Sequence, residues 1–436
     1  MLTEPALDVA VIGGGPAGST AAALLAADGF RVAVFEKETF PRFHIGESLL
    51  PFNLDMLRRL GVADEIDGRF VHKYGARLVS GDGSIRSYIR FDQGAVPGYP
   101  MAYQVVRSEF DELLLRNAAR KGARVLEGRA VVEASHDHRE GCVVTARDRS
   151  GTVERHRARF LLDASGRDAF LASRRGLRTM DPKLRKAAVF AHYEGVPRAE
   201  GRDAGDIVLV FLRDGWFWVI PLPDGRTSVG LVADGATLKR SGASPEELLD
   251  EAILRCPAAR DLLRDARRVS KVWTASDYCY QCRDVVGNGY LLLGDAAAFL
   301  DPVFSTGVWL AMSSAGHAAD ALGAALRSRS PDALAPAAFV SYERAVTSHV
   351  RSYRAIVERF YRPGFLDVFL RPEGTMGVRE AVTSLLAGLF DPTPVVRFKL
   401  RLFYALVDLQ MHLRLLPRIE LPAVFEGVPP RGGDLL

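Results

Sequence analysis

Lysine is scarce in this chain: only 8 of its 57 basic residues are lysine. A buried lysine can give up its proton and an arginine in effect cannot, so each lysine is more informative here than usual. Cysteine is scarce too. Of the four, Cys142, Cys256, Cys279 and Cys282, the last two form a C-x-x-C, but Asp277-Tyr278-Cys279-Tyr280-Gln281-Cys282 reads as strand or extended loop. Residues three apart on a strand face opposite ways, so the two thiols read as incidental rather than as a redox pair. No apolar run approaches the ~20 residues of a membrane helix. Nothing near the start reads as a secretion signal, because Val9-Ala10-Val11-Ile12 runs straight into glycines. A cytoplasmic protein without a membrane span is expected. A net charge of +4 over 436 residues is too small to indicate nucleic-acid binding. Repeats and low-complexity linkers are absent, and no metal site is expected.

A hydrophobic fraction of 48% beside 25% charged residues suits a globular chain of two or three lobes. Val9 to Ile12 reads as a buried strand, Ala17 to Ala27 as an alanine-rich helix and Arg31 to Phe35 as the next strand. Later segments return to this lobe: a helix from about Glu109 with a strand after it, strands ending at Asp163 and Leu293, and a helix around Thr306 to Arg327. Between them lie runs that look antiparallel, Ala187 to Glu194, Asp206 to Arg213, Trp216 to Pro221 and Thr227 to Ala233, with Tyr74 to Arg90 joining them. From about Pro331 the pattern is helical. Pro394 to Leu416 mixes aliphatic residues with Arg397, Lys399, Arg401 and Arg414, and reads as a terminal helix packed on the body rather than one lying on a membrane. The expected fold is α/β, α+β overall. A Rossmann-like dinucleotide-binding domain (1–70, 101–175 and 270–330) is interleaved with an antiparallel-sheet substrate domain (71–100 and 176–269), and 331–436 form a helical C-terminal region.

Gly13-Gly14-Gly15-Pro16-Ala17-Gly18 is a G-x-G-x-x-G that opens a helix directly after a buried strand. Gly13 suits the tight turn, Gly15 the approach of a pyrophosphate to the helix N-terminus, and Gly18 close helix–strand packing. Glu36 ends the second strand 23 residues after Gly13, placed to accept hydrogen bonds from a ribose. That combination points to an adenine dinucleotide. In Gly215-Trp216-Phe217-Trp218-Val219-Ile220-Pro221, the period of two puts Trp216, Trp218 and Ile220 on one strand face and Phe217 and Val219 on the other. The first face is a rigid apolar wall, or an aromatic face in an ordinary core.

Together these features resemble the flavin-dependent halogenases, a branch of the p-hydroxybenzoate hydroxylase-like flavoproteins, over about residues 8 to 325. The resemblance implies FAD, used as FADH2, with O2 and chloride or bromide. Asp163-Ala164-Ser165-Gly166-Arg167 and Gly294-Asp295-Ala296-Ala297 look like the two downstream cofactor signatures. Gln104-Val105-Val106-Arg107 looks like the segment whose arginine contacts the cofactor, and Pro41-Arg42-Phe43-His44-Ile45-Gly46-Glu47-Ser48 like the stretch beside the isoalloxazine. The cofactor-binding set so implied is Gly13, Gly15, Ala17, Gly18, Glu36, Lys37, Arg42, Ile45, Glu47, Ser48, Arg107, Asp163, Gly166, Asp295, Pro302 and Gly307. For Glu47, as for His44, a structural hydrogen-bonding role stays open.

Three features look like halogenases rather than hydroxylases. Trp216 and Trp218 match the wall thought to keep organic substrate from the flavin's activated oxygen. Phe299, Pro302, Ser305 and Gly307 match a Phe-x-x-Pro-x-x-Ser-x-Gly pattern, in which Ser305, Thr306 and Gly307 would hold the halide at a helix N-terminus. The rival reading of that loop is flavin binding alone. Lys73, some 25 residues after the Gly46-Glu47-Ser48 loop, matches the family's essential lysine, which guides hypohalous acid or forms a haloamine. Phe304 stands where the tryptophan halogenases have glutamate, which resembles the branch acting on phenols, pyrroles, polyketide-like or carrier-bound substrates rather than free tryptophan. The implied partners are a separate NAD(P)H flavin reductase and a small-molecule or carrier-protein-bound substrate; an acidic carrier would dock at Arg397, Lys399 and Arg401. Two rivals stay open: an aromatic hydroxylase or ene-reductase using NAD(P)H directly, and a non-catalytic flavoprotein.

Overall fold

A computed structural model describes residues 7–240, 242–276, 279–371 and 377–425. Residues 1–6, Asp277 and Tyr278 of the C-x-x-C segment, and the end of the C-terminal region from 426 lie outside the described residues. The fold is α/β, built on two large sheets and a helical C-terminal part.

The first sheet runs Val286–Gly287, Tyr290–Leu292, Val153–Asp163, Leu7–Ile12, Val32–Glu36, Arg124–Glu127, and every neighbour after the first pair is parallel. A hairpin, Ala130–Asp137 with Gly141–Arg147, extends it from the free end of Val153–Asp163. Residues 9–12, 32–35 and 160–162 at its centre are apolar and buried because both faces are covered there. The helix Pro16–Ala27 lies between Arg107–Arg120 and Gly307–Arg327, and packs against both. The alanines of Pro16–Ala27 keep that three-helix layer close to the sheet.

The second sheet runs Arg267–Arg268, Lys186–Glu194, Thr227–Asp234, Gly215–Pro221, Ile207–Phe211, Gly75–Ser80, Arg86–Arg90. It departs from expectation in two ways. Ile207–Phe211 and Gly75–Ser80 pair in parallel, so the sheet is not purely antiparallel. Trp273–Ser276, placed in the dinucleotide-binding lobe by the sequence reading, pairs with Ala187–Phe190 in this sheet. The reason is edge pairing: Arg267–Arg268 covers only the far end of the Lys186–Glu194 strand, and the chain returns to cover the rest. The C-terminal helices Val340–Phe360, Val378–Ala387 and Pro394–Leu413 close the sheet's inner side, where Trp216, Trp218, Phe360, Leu385 and Phe403 share one core. Phe217 and Val219 belong to the core on the other face. Cys279 and Cys282 are free, buried thiols.

Candidate active site

A cavity of about 820 Å³ runs from the carboxyl ends of the first sheet to the inner face of the second. At its first end, Gly13 turns with φ +97°, and a Cβ there would lie 2.4 Å from the Ala164 carbonyl. A Cβ on Gly18 would lie 1.9 Å from the Gly13 carbonyl, so helix and strand touch where only glycine fits. Gly15 differs. Its missing Cβ faces the cavity, with Arg42 Nη2 at 3.4 Å as its nearest neighbour. The helix behind it has no side-chain cap and no acidic residue in its first turn, leaving bare amides at its positive end.

Glu36 is buried and takes the amides of Gly14 (2.6 Å) and Glu38 (2.8 Å), which fixes its carboxylate at the cavity edge beside Lys37. Arg42 and Arg107 converge on buried Asp111, at 3.0 and 2.8 Å. Burial alone would raise the Asp111 carboxyl, but Arg107 and then Arg42 hold it below the ordinary value. The roles of the two arginines separate here. Arg107 spends its donors on Asp111 and on the Ile45 (2.6 Å) and Gly46 (3.2 Å) carbonyls, so it pins the 42–48 loop. Arg42 makes one bond to Asp111 and turns its remaining edge to the helix N-terminus. His44, half-buried, is pushed down to about 3 by desolvation and then by the Arg107 charge, and stays neutral. Glu47 is 3% exposed and pairs with His192 at 3.0 Å; its second oxygen has no partner.

Asp295 faces the cavity, and burial, opposed by Arg167 and Arg107, pushes its carboxyl up to about 6. Gly166, Ala17, Ile45 and Ser48 line the same space. Asp163 does not. Its carboxylate is consumed by the Ser165 amide and hydroxyl and by the Leu171 amide at 2.7 Å, so it shapes the turn after its strand instead of meeting a ligand. Gly18 likewise acts only through packing.

The far end joins the wall to the predicted halide loop. Trp216, Trp218 and Ile220 line the cavity with Phe190 and Leu209. The two indoles stand 6.0 Å apart, and Trp218 lies over Gly230, where a Cβ would come within 2.1 Å of its ring. Pro302, Ser305, Thr306 and Gly307 line the cavity opposite. Ser305 has φ +58°, and the 21-residue helix Gly307–Arg327 starts with no side-chain cap and no first-turn acid. A Cβ on Gly307 would meet nothing within 4 Å, so the chain leaves open space beside the start of this helix.

Lys73 is not part of the cavity lining. It is 2% exposed, its Nζ donates to Ser48 Oγ (2.9 Å) and the Leu49 carbonyl (3.0 Å), and the Phe91 ring lies 5.1 Å away. Ser48 separates it from the cavity. Burial, opposed by Asp206, pulls its amine down to about 7. Lys73 is therefore a buried amine one hydroxyl away from the cavity lining.

Residues 6–349 match a family model described as an FAD binding domain. The chain is 32% identical over 383 residues to the 1H-pyrrole-2-carbonyl-(peptidyl-carrier protein) chlorinase of Pseudomonas fluorescens, covering 82% of this chain and 84% of that protein. It is 35% identical over 362 residues to a tryptophan 2-halogenase of Chondromyces crocatus, covering 81% and 67%. The solved structure of a myxobacterial chondrochloren halogenase superposes with a TM-score of 0.75 at 30% identity, covering 94% and 97%. The chain belongs to the flavin-dependent halogenases.

The halogenase uses FAD, O2 and a halide, and its residues fit the cofactor on geometric grounds. The bare helix end at Gly15 with Arg42 opposite suits a pyrophosphate, Glu36 suits a ribose, and Asp295 suits polyol hydroxyls. Several residues of the site escaped the sequence reading. Asp111 could have been found from its i, i+4 spacing to Arg107 on a helix. His192 and Gly230 reach the site only through tertiary contacts that no local pattern signals. Among the described residues no helix is long and apolar enough to cross a membrane, and no group of ligands could hold a metal.

Proposed function

We propose that this halogenase takes FADH2 from a separate NAD(P)H flavin reductase in the cytoplasm and halogenates an electron-rich, carrier-tethered aromatic such as a pyrrole. One observation carries the reading: the Trp216–Ile220 face and the Ser305–Gly307 helix end line the same cavity as Gly15 and Asp295, while Lys73 lies behind Ser48 outside it. Bound reduced flavin supplies activated oxygen from O2. The chain's own groups do the rest. The bare amides at Thr306 and Gly307 hold halide, the two indoles bar organic substrate, and Lys73 receives hypohalous acid and directs it onto carbon. Lys73→Ala is expected to cut product formation by roughly a thousandfold or more while FAD still binds. Full, regioselective halogenation by K73A would defeat the assignment.

The carrier is supported by the chain's likeness to the carrier-protein chlorinase and by Phe304, which removes the glutamate of the tryptophan enzymes. The relatives' names divide on this point, since one is a tryptophan 2-halogenase. The outer face of helix Pro394–Leu413 exposes Val395, Phe398, Leu409 and Leu413 beside exposed Arg397 and Arg401, whereas Val396, Leu400, Phe403 and Val407 are buried beneath. Basic flanks on an apolar stripe fit an acidic, amphipathic carrier helix. The inner face packs on Val378–Ala387, whose Ser384 bonds the Ala95 amide at 2.6 Å, a few residues from the Phe91 ring beside Lys73. Reversing Arg397, Lys399 and Arg401 to glutamate should weaken carrier affinity about tenfold or more and leave carrier-independent halide oxidation unchanged. Equal carrier affinity would remove the docking site.

A further inference from the structure

Tyr361 follows the helix Val340–Phe360, beyond the stretch 6–349 that the family model matches. Its hydroxyl stands between two parts of the site. It accepts a hydrogen bond from Trp216 Nε1 at 3.1 Å and donates one to Asp301 Oδ2 at 2.7 Å. Trp216 and Asp301 are each 2% exposed, and both line the cavity. The second Asp301 oxygen accepts the Val303 amide at 3.0 Å and so caps the short turn Pro302–Phe304 that leads into Ser305–Gly307. Aromatic contacts reinforce the link, because Phe360 touches both Phe304 (5.6 Å between centroids) and Tyr361 (4.9 Å). One phenolic oxygen therefore joins the tryptophan wall to the loop opposite it.

An N-cap aspartate needs only one oxygen for its turn, and a wall indole needs no particular partner to be apolar. Here the spare oxygen and the indole N–H meet on one hydroxyl, so neither group can shift without the other. We propose that Tyr361 is a positioning residue, holding the Trp216 indole and the Asp301–Gly307 loop in a single register so that oxidised halogen forms in place of leaked hydrogen peroxide. This deepens the halogenase reading and rests on it. The link also responds to pH. Burial pushes the Asp301 carboxyl up to about 6, against Tyr361, the Val303 amide and Lys186, whose ammonium lies 4.2 Å from the Tyr361 ring. Cys279, a further titratable neighbour, is pushed up to about 12 by burial and stays neutral. A protonated Asp301 accepts less strongly from Tyr361, so the clamp loosens as pH falls through that range.

The test uses purified holoenzyme labelled with 15N-tryptophan. Its four indole N–H resonances (Trp216, Trp218, Trp273, Trp309) are assigned by comparison with W216F. The Trp216 resonance should titrate with a midpoint near 6, move upfield and lose most of its titration in Y361F, and cease to titrate in D301N. With reduced FAD, O2 and bromide, the ratio of halogen trapped by a cyclic 1,3-dione to hydrogen peroxide released should fall several-fold in Y361F at unchanged FAD affinity. A Trp216 resonance identical in position and midpoint in wild type and Y361F would overturn the clamp. A shifted resonance with an unchanged ratio would overturn its positioning role. If wild type traps no halogen at all, the halogenase reading fails, and the indole titration still judges the clamp by itself.

Discussion

Two helices end bare in the same cavity, and what stands opposite each of them differs. Pro16–Ala27 and Gly307–Arg327 both start beside a glycine, without a side-chain cap and without an acid in the first turn. Both offer amides and a positive dipole end. Opposite the first is Arg42, braced by buried Asp111. Opposite the second are the indoles, its own loop contributes Pro302, Val303 and the Asp301 carboxyl, and among the described residues no cation hydrogen-bonds residues 301–307. A guanidinium added to a helix end suits the paired charges of a pyrophosphate. The same backbone device without a guanidinium, facing apolar indoles, suits a small monovalent anion that must also leave. On the proposed reading the chain makes two anion sites from one element, and a single side chain, Arg42, separates their uses.

The comparison breaks first at Arg42. Arg42→Ala should weaken FAD binding about 10- to 100-fold, the worth of a charge-assisted hydrogen bond at a partly buried site, and leave the halide dependence of halogen trapping in place. Titration of apoprotein with FAD, followed by tryptophan quenching, reads this directly. An unchanged Kd would mean that the helix end alone holds the phosphate. A smaller effect is expected at the other end. Gly307→Ala meets no steric objection, since nothing lies within 4 Å of the new methyl, but that methyl takes up open space at a residue lining the cavity beside the helix start. The halide concentration for half-maximal trapping should rise about 3- to 10-fold, and by more than the change in FAD affinity. Equal loss of both would show that Gly307 serves the flavin and not the halide.

What was legible in the sequence was local and periodic. Glycine positions after a strand are legible because only glycine survives a Cβ 2.4 Å or less from a carbonyl, as at Gly13 and Gly18. The facing of Trp216, Trp218 and Ile220 is legible because a strand alternates strictly. Pairing partners were not. Trp273–Ser276 carries no mark of the sheet edge it completes, and the parallel pair Ile207–Phe211 with Gly75–Ser80 joins segments some 130 residues apart. Side-chain destinations were least legible. Asp163 sits in a cofactor-like motif yet is satisfied by its own turn, and Arg107 holds the loop while Arg42 keeps a free edge. Motif identity limits a residue to a neighbourhood; the hydrogen bonds already taken decide what is left for a ligand.

Lys73 offers the smallest but cleanest measurement, because its state can be read without turnover. Its amine is pulled from 10.5 to about 7 by burial, so between those values the folded chain binds fewer protons than the unfolded one. Stability contributed at this site must then rise with pH through that window and be lowest below pH 7, where both states are protonated and the buried charge costs most. Lys73→Met removes the charge and both hydrogen bonds, to Ser48 and Leu49. The lost bonds weaken the chain equally at every pH, so only the difference between pH values reports the proton. Wild type should gain on K73M by ~2 kcal/mol between pH 6 and pH 9 in urea unfolding, part of which solvent entry would remove. The same amine should make halogenation rise through about pH 7 if its neutral form captures hypohalous acid. A stability difference that does not change with pH would mean that Lys73 keeps its proton, and a rate that falls through the same range would make it a donor instead of a nucleophile.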